Sequence, residues 1–219
     1  MPSTKNISPS TLFTIRIVKG VPRCEASKAN GDFIIKRDLL CIMRDGVALA
    51  MDIIFPNGGG PFPVILERTP YDKNGSWHTG IENYARRGYV VVLQDVRGRF
   101  NSDGDFNPFR QERDDGFDTI SWIAEQDWCD GNIGMIGASY SGQTQWYAAG
   151  GAPRALKAII PIESPPGNLF MNEPMYGGAM ILCTVEWASL LGRRSFQAKV
   201  FDDIYREHRS YFDELNVEK

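Results

Sequence analysis

Four short apolar runs most strongly limit what this chain can fold into. They are rich in β-branched residues and have few polar interruptions: "FPVILERT", "GYVVVLQDV", "NIGMIGAS" and "LKAIIPIES". Such runs are typical of parallel strands that are covered on both faces. The segments between them have helical periodicity; Phe117, Ile120 and Ile123, for example, fall on one face of a helix. This alternation predicts an α/β sheet with helices on both faces.

A hairpin is predicted before these runs. Asp45 and Gly46 lie between two apolar segments, and Asp-Gly is a strong hairpin signal. Beyond the turn, larger apolar residues alternate with smaller or charged ones from Val47 to Ile53. This period predicts a strand with one face more buried than the other.

These patterns divide the chain into three segments. Residues 1–30 carry Ser, Pro and Lys with weak periodicity and are predicted to form a loosely attached extension. Residues 31–164 contain the hairpin and the four runs, and therefore the α/β core. Residues 165–219 are helical in pattern and contain no further strand-like run, which predicts the start of a helical cap packed over the sheet.

Composition excludes several classes of protein. Of the 219 residues, 42% are hydrophobic, which is enough for a substantial core. The net charge of -3 comes from interleaved acidic and basic residues, so we expect no nucleic-acid partner. No apolar run is long enough to cross a membrane, and the first residues lack the features of a secretory signal. The four cysteines lack metal-site spacing, so we expect reduced thiols, no metal or other cofactor, and a cytoplasmic location.

The segment "GASYSG" follows a strand-like run and precedes a helical one. A serine at the apex of such a turn needs small neighbours, as in the G-x-S-x-G nucleophile elbow; around Ser139 they are Gly137 and Ser141. The start of the helix places free N–H groups near Ser139, and the N–H of Tyr140 is the expected oxyanion donor. Alternatively, the small residues only allow close packing of helix and strand. A dinucleotide-binding loop is excluded, because the preceding glycines are not spaced as G-x-G-x-x-G.

The segment "ERTPYDK" ends another predicted strand. Pro70 fixes its own φ angle and biases Thr69 toward extended geometry, so Tyr71 is expected in a rigid turn. Tyr71 and Ser139 would then both lie at carboxyl ends of parallel strands, where ligand-binding groups gather. The Tyr71 hydroxyl either donates a hydrogen bond to a developing oxyanion or points into water, and the sequence leaves both open.

Charged residues follow the next strand, in the glycine-rich loop "QDVRGRFNSDGDF". Four of them are Asp95, Arg97, Arg99 and Asp103. Such charges can bind an anionic substrate, but we expect mainly that Asp–Arg pairs hold an irregular loop near the site.

Together these segments resemble the cocaine esterase / Xaa-Pro dipeptidyl-peptidase (CocE/NonD) family of α/β-hydrolases. The similarity covers roughly residues 36–180, in the family's order: "MRDGVALAMDIIFP", "PFPVILERTPYDK", "RGYVVVLQDVRGRFNSDGDF", "GNIGMIGASYSGQTQW" and "LKAIIPIESP". The resemblance implies an α/β-hydrolase fold with Ser139 as nucleophile, and with the Tyr140 N–H and the Tyr71 hydroxyl as oxyanion hole. It also implies ester or amide substrates, either acyl compounds or peptides with proline second.

The resemblance carries two further expectations. Related α-amino-acid ester hydrolases bind the substrate ammonium through carboxylates near the cap, and Glu173 is the comparable acid here. In α/β-hydrolases the triad acid and histidine follow the serine on later strands. This chain has two histidines, His78 before Ser139 and His208 in a predicted exposed helix, and neither is expected to be the base. We therefore expect a fold that is incomplete at its C-terminus, without the triad acid and histidine.

Three hypotheses about function remain open. The first is the N-terminal part of a serine hydrolase that acts on a small-molecule or peptide acyl substrate. The second is a catalytically inactive relative that binds a ligand or a partner chain through the same pocket. The third is a compact esterase that uses His208 as its base. Because later strands would be missing, the exposed sheet edge is also predicted to pair with another chain.

Overall fold

The computed structural model describes residues 33–75, 78, 80–164 and 166, together with 175–176, 179–180, 187–188 and 191. A six-stranded sheet with the strand order β1-β2-β4-β3-β5-β6 dominates this part of the chain. Its strands are β1 (Phe33–Ile42), β2 (Ala48–Pro56), β3 (Phe62–Thr69), β4 (Val90–Asp95), β5 (Cys129–Ala138) and β6 (Leu156–Ile162). The helices are α1 (Glu82–Ala85), α2 (Glu112–Ala124) and α3 (Tyr140–Gly150).

The sheet is antiparallel at one edge and parallel across the rest, as predicted. β1 and β2 form a hairpin about Gly46, whose φ of 85° suits glycine, and β2 pairs antiparallel with β4. The four apolar runs form the parallel strands β3, β4, β5 and β6. The carboxyl ends of β3, β4 and β5 therefore meet at one edge of the sheet, which is the edge where Tyr71 and Ser139 follow their strands.

The prediction that one face of β2 is less buried than the other is wrong. Both faces are buried, and Ala50 and Asp52 are only 1% and 3% exposed. Asp52 is tolerated inside because Arg37 Nη1 donates to it at 2.9 Å and Lys73 Nζ lies 3.5 Å away. The polar position of the strand thus faces a buried ion cluster instead of solvent.

Helices cover both faces of the sheet, as predicted. α2 and α3 cover one face, where Ile120, Ile123 and Ala148 pack in the main core. α1 covers part of the other face through Ala85. Over β6 that second face is open, since Ile160 is 55% and Ile162 45% exposed.

A second, two-stranded sheet follows β6. Met175–Tyr176 and Ala179–Met180 form the antiparallel strands β7 and β8. The expectation that no strand follows residue 165 is therefore wrong. The two strands are joined in the sequence by Gly-Gly, a pair typical of two-residue hairpins, and this local signal outweighs the surrounding helical pattern. Trp187, by contrast, is helical, as expected.

Several predictions fall on residues that the structure does not describe. They concern the extension of residues 1–30, most of residues 165–219, Glu173 and His208. The division into three segments stays a prediction. None of the helices in the described residues has the length and apolar character that a membrane crossing requires.

Candidate active site

Ser139 lies where β5 turns into α3. It is the N-cap residue of α3, and its φ of 53° with ψ of -120° lies outside the regions that non-glycine residues ordinarily adopt. Its backbone N–H donates to Ile162 O on β6 at 3.0 Å, and the residue is exposed. This is the strand–turn–helix geometry that the segment "GASYSG" predicts.

The turn around Ser139 depends on small neighbours. Gly137 has a φ of 149°, and a Cβ atom there would lie 2.5 Å from Ser141 Cβ. A Cβ atom on Gly142 would lie 2.4 Å from Ser164 Cβ. Both distances are shorter than real Cβ contacts, so packing requires glycine at these two positions. Close helix–strand packing and an exposed serine therefore occur together.

The hydroxyl of Tyr71 lies beside Ser139, at the end of the sheet where the parallel strands have their carboxyl ends. Tyr71 Oη and Ser139 Oγ are 3.3 Å apart, and either atom can be the donor. Trp187 Nε1 donates to Tyr71 Oη at 3.1 Å. Because an indole nitrogen is only a donor, Tyr71 Oη accepts this bond and keeps its own proton for a second partner. The phenol can therefore direct its proton toward an atom bound at Ser139.

Tyr140 uses its backbone and its side chain differently. As the first residue of α3, it has an N–H without a partner inside the helix. Its side chain is buried: Tyr140 Oη donates to Glu112 Oε1 at 2.8 Å and accepts from the Phe109 N–H at 2.9 Å. Burial, and after it the charge of Glu112, raises the pKa of Tyr140 well above its ordinary value. The phenol thus stays neutral and anchors the start of the helix.

A fully buried ion pair joins this anchor to the sheet. Arg68 Nη1 donates to Glu112 Oε2 at 2.8 Å, and Arg68 Nε donates to Gln94 Oε1 at 2.8 Å. The side chains of Arg68 and Glu112 are 0% and 4% exposed. Burial raises the pKa of Glu112, although the charge of Arg68 and the hydrogen bond from Tyr140 act to lower it. The network ties β3, β4 and α2 to the first residue of α3.

Side chains from the loop after β4 hold the turn that carries Tyr71. Arg99 Nε donates to Pro70 O at 2.9 Å. Asp95 Oδ1 accepts the Lys73 N–H at 2.8 Å. Asp95 and Arg99 thus have the structural role that was expected, and they hold the Tyr71 turn in addition to their own loop, where Asp95 O accepts from Ser102 Oγ at 2.7 Å.

Arg97 and Asp103 of that loop are also engaged structurally. Arg97 donates to Asp115 Oδ1 at 2.6 Å and to Asp45 Oδ2 at 2.7 Å, and these hydrogen bonds raise its pKa. Asp103 is exposed, and its backbone N–H donates to Ala48 O. The prediction of Asp–Arg pairs is confirmed for Arg97, with both acids outside the loop.

Lys73 lies buried among carboxylates at the base of the Tyr71 turn. Its Nζ is 2.8 Å from Asp38 Oδ1, 3.5 Å from Asp52 Oδ1 and 3.7 Å from Asp95 Oδ2. Burial acts to lower the pKa of Lys73, but the carboxylates outweigh burial and the pKa is raised. Burial raises the pKa of Asp95 to about 6, even though Lys73 acts in the opposite direction. This side of the turn therefore contains a titratable cluster.

A cavity of about 670 Å³ opens beside Ser139 and Tyr71. Its walls combine apolar side chains with polar ones, among them Ile81, Ile136, Ile162, Glu67 and His78. No group of three or more His, Cys, Asp or Glu side chains in the described part of the chain is arranged to bind a metal ion.

His78 enters this cavity but is engaged elsewhere. Its Nδ1 lies 3.2 Å from Glu67 Oε2, and its Nε2 lies 3.1 Å from Asp72 O. Neither ring nitrogen is directed to Ser139 Oγ, so this arrangement does not present His78 as a base for Ser139.

Contacts of three residues of the site were not foreseen from the sequence. Glu67 carries a local signal, since it is a carboxylate at the end of an otherwise apolar run. Trp187 carries none, because its contact with Tyr71 joins residues 116 positions apart. The sequence suggests His78 only as a candidate base, and its bond to Asp72 O in the Tyr71 turn is not predicted.

Comparison with known proteins identifies the family of this chain. The family model of X-Pro dipeptidyl-peptidase (S15 family) matches residues 45–209, which is most of the sequence. The chain belongs to this family. Cocaine esterase from Rhodococcus sp. (strain MB1 Bresler) is 44% identical over 171 residues, which are 74% of this chain and 29% of that protein.

Solved structures show the fold. An α-amino acid ester hydrolase matches with a TM-score of 0.68 at 28% identity, over 88% of this chain and 34% of that one. A CocE/NonD family hydrolase from Staphylococcus aureus matches with a TM-score of 0.66 at 30% identity, over 73% and 32%. The fold is therefore that of α/β-hydrolases, and the resemblance noted in the sequence is confirmed. The chain spans about a third of the length of these relatives.

Proposed function

We propose that this chain is part of a serine hydrolase that cleaves ester or amide bonds with Ser139 as nucleophile. One observation carries the proposal: the exposed serine occupies a strained strand-to-helix turn, and Tyr71 Oη lies 3.3 Å from its Oγ. An oxyanion forms when Ser139 attacks a carbonyl carbon. The Tyr71 hydroxyl and the unpaired N–H of Tyr140 are the two donors that would bind it.

Acyl transfer then takes two steps. Ser139 Oγ gives its proton to a base and attacks the carbonyl carbon, and the departing alcohol or amine takes up a proton. Water next attacks the acyl–Ser139 ester by the same route and releases the acid. In both steps Trp187 occupies a lone pair of Tyr71 Oη, so that the phenolic proton points to the oxyanion.

The base and its orienting acid lie, in this proposal, outside the described residues. His78 is the one described histidine, and both of its ring nitrogens have other partners. The chain also spans only 29–34% of the relatives' lengths. A His208→Ala variant tests the remaining histidine of the chain: an unchanged reaction of Ser139 would exclude it as the base.

The cavity beside Ser139 supports an ester or amide with an apolar group next to the reacting carbonyl. Ile81, Ile136 and Ile162 provide an apolar wall, and a volume of about 670 Å³ is in the range of small-molecule sites. The names of the relatives indicate the same class, since they are an esterase, an amino acid ester hydrolase and an X-Pro dipeptidyl-peptidase family.

A fluorophosphonate probe tests the nucleophile. We expect mass spectrometry to find the probe on Ser139 and to find none in Ser139→Ala. Tyr71→Phe removes one oxyanion donor and is expected to slow labelling by about 10²–10³-fold. Tyr147→Phe is a matched control on α3 and should leave the rate unchanged. Equal rates for the two tyrosine variants would contradict the role of Tyr71.

A catalytically inactive relative is the second candidate. The observation that favours it is that no described histidine bonds Ser139. Calorimetry with a non-hydrolysable amide analogue separates the two candidates. Binding of the analogue by a chain whose Ser139 never reacts with the probe, either alone or within a longer protein, would favour the inactive relative.

A further inference from the structure

The cavity beside Ser139 contains a histidine–glutamate pair that the mechanism above does not use. The His78 and Glu67 side chains are 5% and 12% exposed, and they meet at 3.2 Å. The other ring nitrogen of His78 lies 3.1 Å from the carbonyl oxygen of Asp72, the residue after Tyr71. Since Glu67 belongs to β3, His78 joins the sheet to the turn that carries the proposed oxyanion donor.

We propose that His78 is a positioning residue: its doubly protonated ring holds the Tyr71 turn in place, and loss of one proton releases the turn. The proposal rests on the function proposed above only in the role given to Tyr71. The contact between His78 and the turn is independent of that role.

The two partners of the ring explain why the doubly protonated form is needed. The Asp72 carbonyl accepts hydrogen bonds and donates none, and an ionised Glu67 likewise only accepts. An imidazolium ring donates from both nitrogens and satisfies both partners. A neutral ring has one N–H, and the Glu67 carboxylate competes for it more strongly than the Asp72 carbonyl does, so Asp72 O then faces a lone pair.

The titratable groups around the ring come from β3, the Tyr71 turn, α1 and the end of β6. They are Glu67, Asp72, Tyr71, Tyr84 and Glu163. Three of them are carboxylates. No lysine or arginine is among the residues that line the described cavity. The surrounding charge therefore favours a positive ring.

The effects on the pKa of His78 also favour the doubly protonated ring. Burial is the largest single effect and acts to lower the pKa of His78. The hydrogen bond and the charge of Glu67, with smaller effects of Asp72, outweigh burial, and the pKa of His78 is raised above its ordinary value of 6.5. The doubly protonated ring is thus present below a midpoint that lies above 6.5, and it is lost as the pH rises through that midpoint.

The Tyr71 turn is sensitive to this bond because Asp72 is strained. Its φ is 82°, a conformation that a non-glycine residue keeps only when its surroundings hold it. Arg99 and Asp95 bind the turn through Pro70 O and the Lys73 N–H. The carbonyl of Asp72 accepts from the Gly75 N–H at 2.9 Å within the turn, and His78 adds a bond that links this carbonyl to Glu67 on β3. Loss of the His78 bond removes that link to the sheet and loosens the turn next to the phenol.

Nuclear magnetic resonance tests the bond without any catalysis. The chain has two histidines, so His78→Leu assigns the ring signals. We expect a His78 midpoint above 6.5, lowered by about one pH unit in Glu67→Gln. Glu125→Gln, which removes an exposed charge at the end of α2, should not move it. The indole N–H of Trp187, which bonds Tyr71, should shift with the same midpoint, and that shift should be absent in His78→Leu.

Labelling of Ser139 by the fluorophosphonate from pH 5 to 9 tests the consequence. Below the midpoint we expect wild type to react about tenfold faster than His78→Leu, since the variant misplaces one oxyanion donor, and the ratio should approach one above the midpoint. His78→Gln carries an amide that can donate to Asp72 O. It should restore most of the rate and remove the pH step, which a purely structural role would not explain.

The outcomes separate the two proposals. A His78 midpoint below 6.5, or a Trp187 signal that does not follow it, overturns the positioning role. Absence of labelling in wild type contradicts the proposed hydrolase, while the resonance measurements still decide the positioning role. If His78→Leu does not fold, Glu67→Gln carries both measurements: an unchanged Trp187 titration in that variant would overturn the proposal.

Discussion

Ser139 and Tyr71 meet at 3.3 Å, yet the two turns that carry them are held by different interactions. The Ser139 turn depends on close packing, since Gly137 and Gly142 leave no room for a Cβ atom. Its helix is anchored by Tyr140 in a buried network. The Tyr71 turn is held instead by hydrogen bonds from charged side chains around it.

The two turns are therefore expected to respond differently to pH. Packed atoms do not titrate, so the contacts of Gly137 and Gly142 that shape the Ser139 turn are expected to be insensitive to pH. His78 and Asp95 both have raised pKa values and both hold the Tyr71 turn. Ser139, the proposed nucleophile, is therefore held by close packing, and Tyr71, the proposed oxyanion donor, by hydrogen bonds that depend on protonation.

The largest effect is expected from breaking the buried network on the Ser139 side. Arg68→Ala leaves Glu112 buried without its cation, which should lower the free energy of unfolding by about 3–5 kcal/mol in urea denaturation. Arg44→Ala removes a surface pair with Asp118 and should cost far less. Similar losses for the two variants would mean that packing alone holds the Ser139 side.

A somewhat smaller loss of stability is expected when a methyl group is added at Gly137 in the Ser139 turn. Gly137→Ala forces a contact with Ser141 and an unfavourable φ, at a combined cost of about 2–4 kcal/mol. Gly131→Ala is the matched control, because its φ is 84° but no atom lies within 4 Å of the added Cβ. It should lose only about 1 kcal/mol. If both variants lose the same amount, backbone strain and not packing limits the turn.

The smallest of the three effects is expected on the Tyr71 side and depends on pH. Burial raises the pKa of Asp95 from 3.8 to about 6, so the folded state binds this proton more tightly than the unfolded state. The stability it adds is complete below about pH 4 and is lost as the pH rises through about 6. Asp95→Asn keeps an oxygen for the Lys73 N–H but cannot titrate.

Urea denaturation from pH 4 to 7 measures this step. The free energy of unfolding of wild type minus that of Asp95→Asn should fall by about 1–3 kcal/mol over the range. Asp127→Asn, at an exposed position before β5, should show no such step. A difference that stays constant with pH would show that the charge of Lys73 cancels the effect of burial.

Much of the fold and part of the site could be predicted because they depend on local pattern. Asp45-Gly46 marks the hairpin, and β-branched runs mark the parallel strands, since both follow from backbone preferences over a few residues. Small residues around Ser139 and the proline before Tyr71 likewise indicate two turns at strand ends. The sheet then brings these two ends together.

The errors and omissions concern residues whose state depends on distant partners. The alternation in β2 indicated that one face is less buried than the other, but Lys73 makes a buried Asp52 possible. The sequence pattern near residue 176 predicted a helix, but β7 and β8 pair there in the structure. The contacts of Trp187 and His78 with the Tyr71 turn could not be predicted from local sequence.

The sequence by itself determined the order of strands and helices, the two turns and the residues at their tips, because periodicity, glycine and proline act over short stretches of chain. Only the tertiary structure decided what holds those tips. Hydrogen bonds and ion pairs form between side chains that folding brings together, and burial then sets their protonation. For the Tyr71 turn the partners include an indole 116 positions away, which bonds Tyr71, and a histidine that bonds both Asp72 and β3.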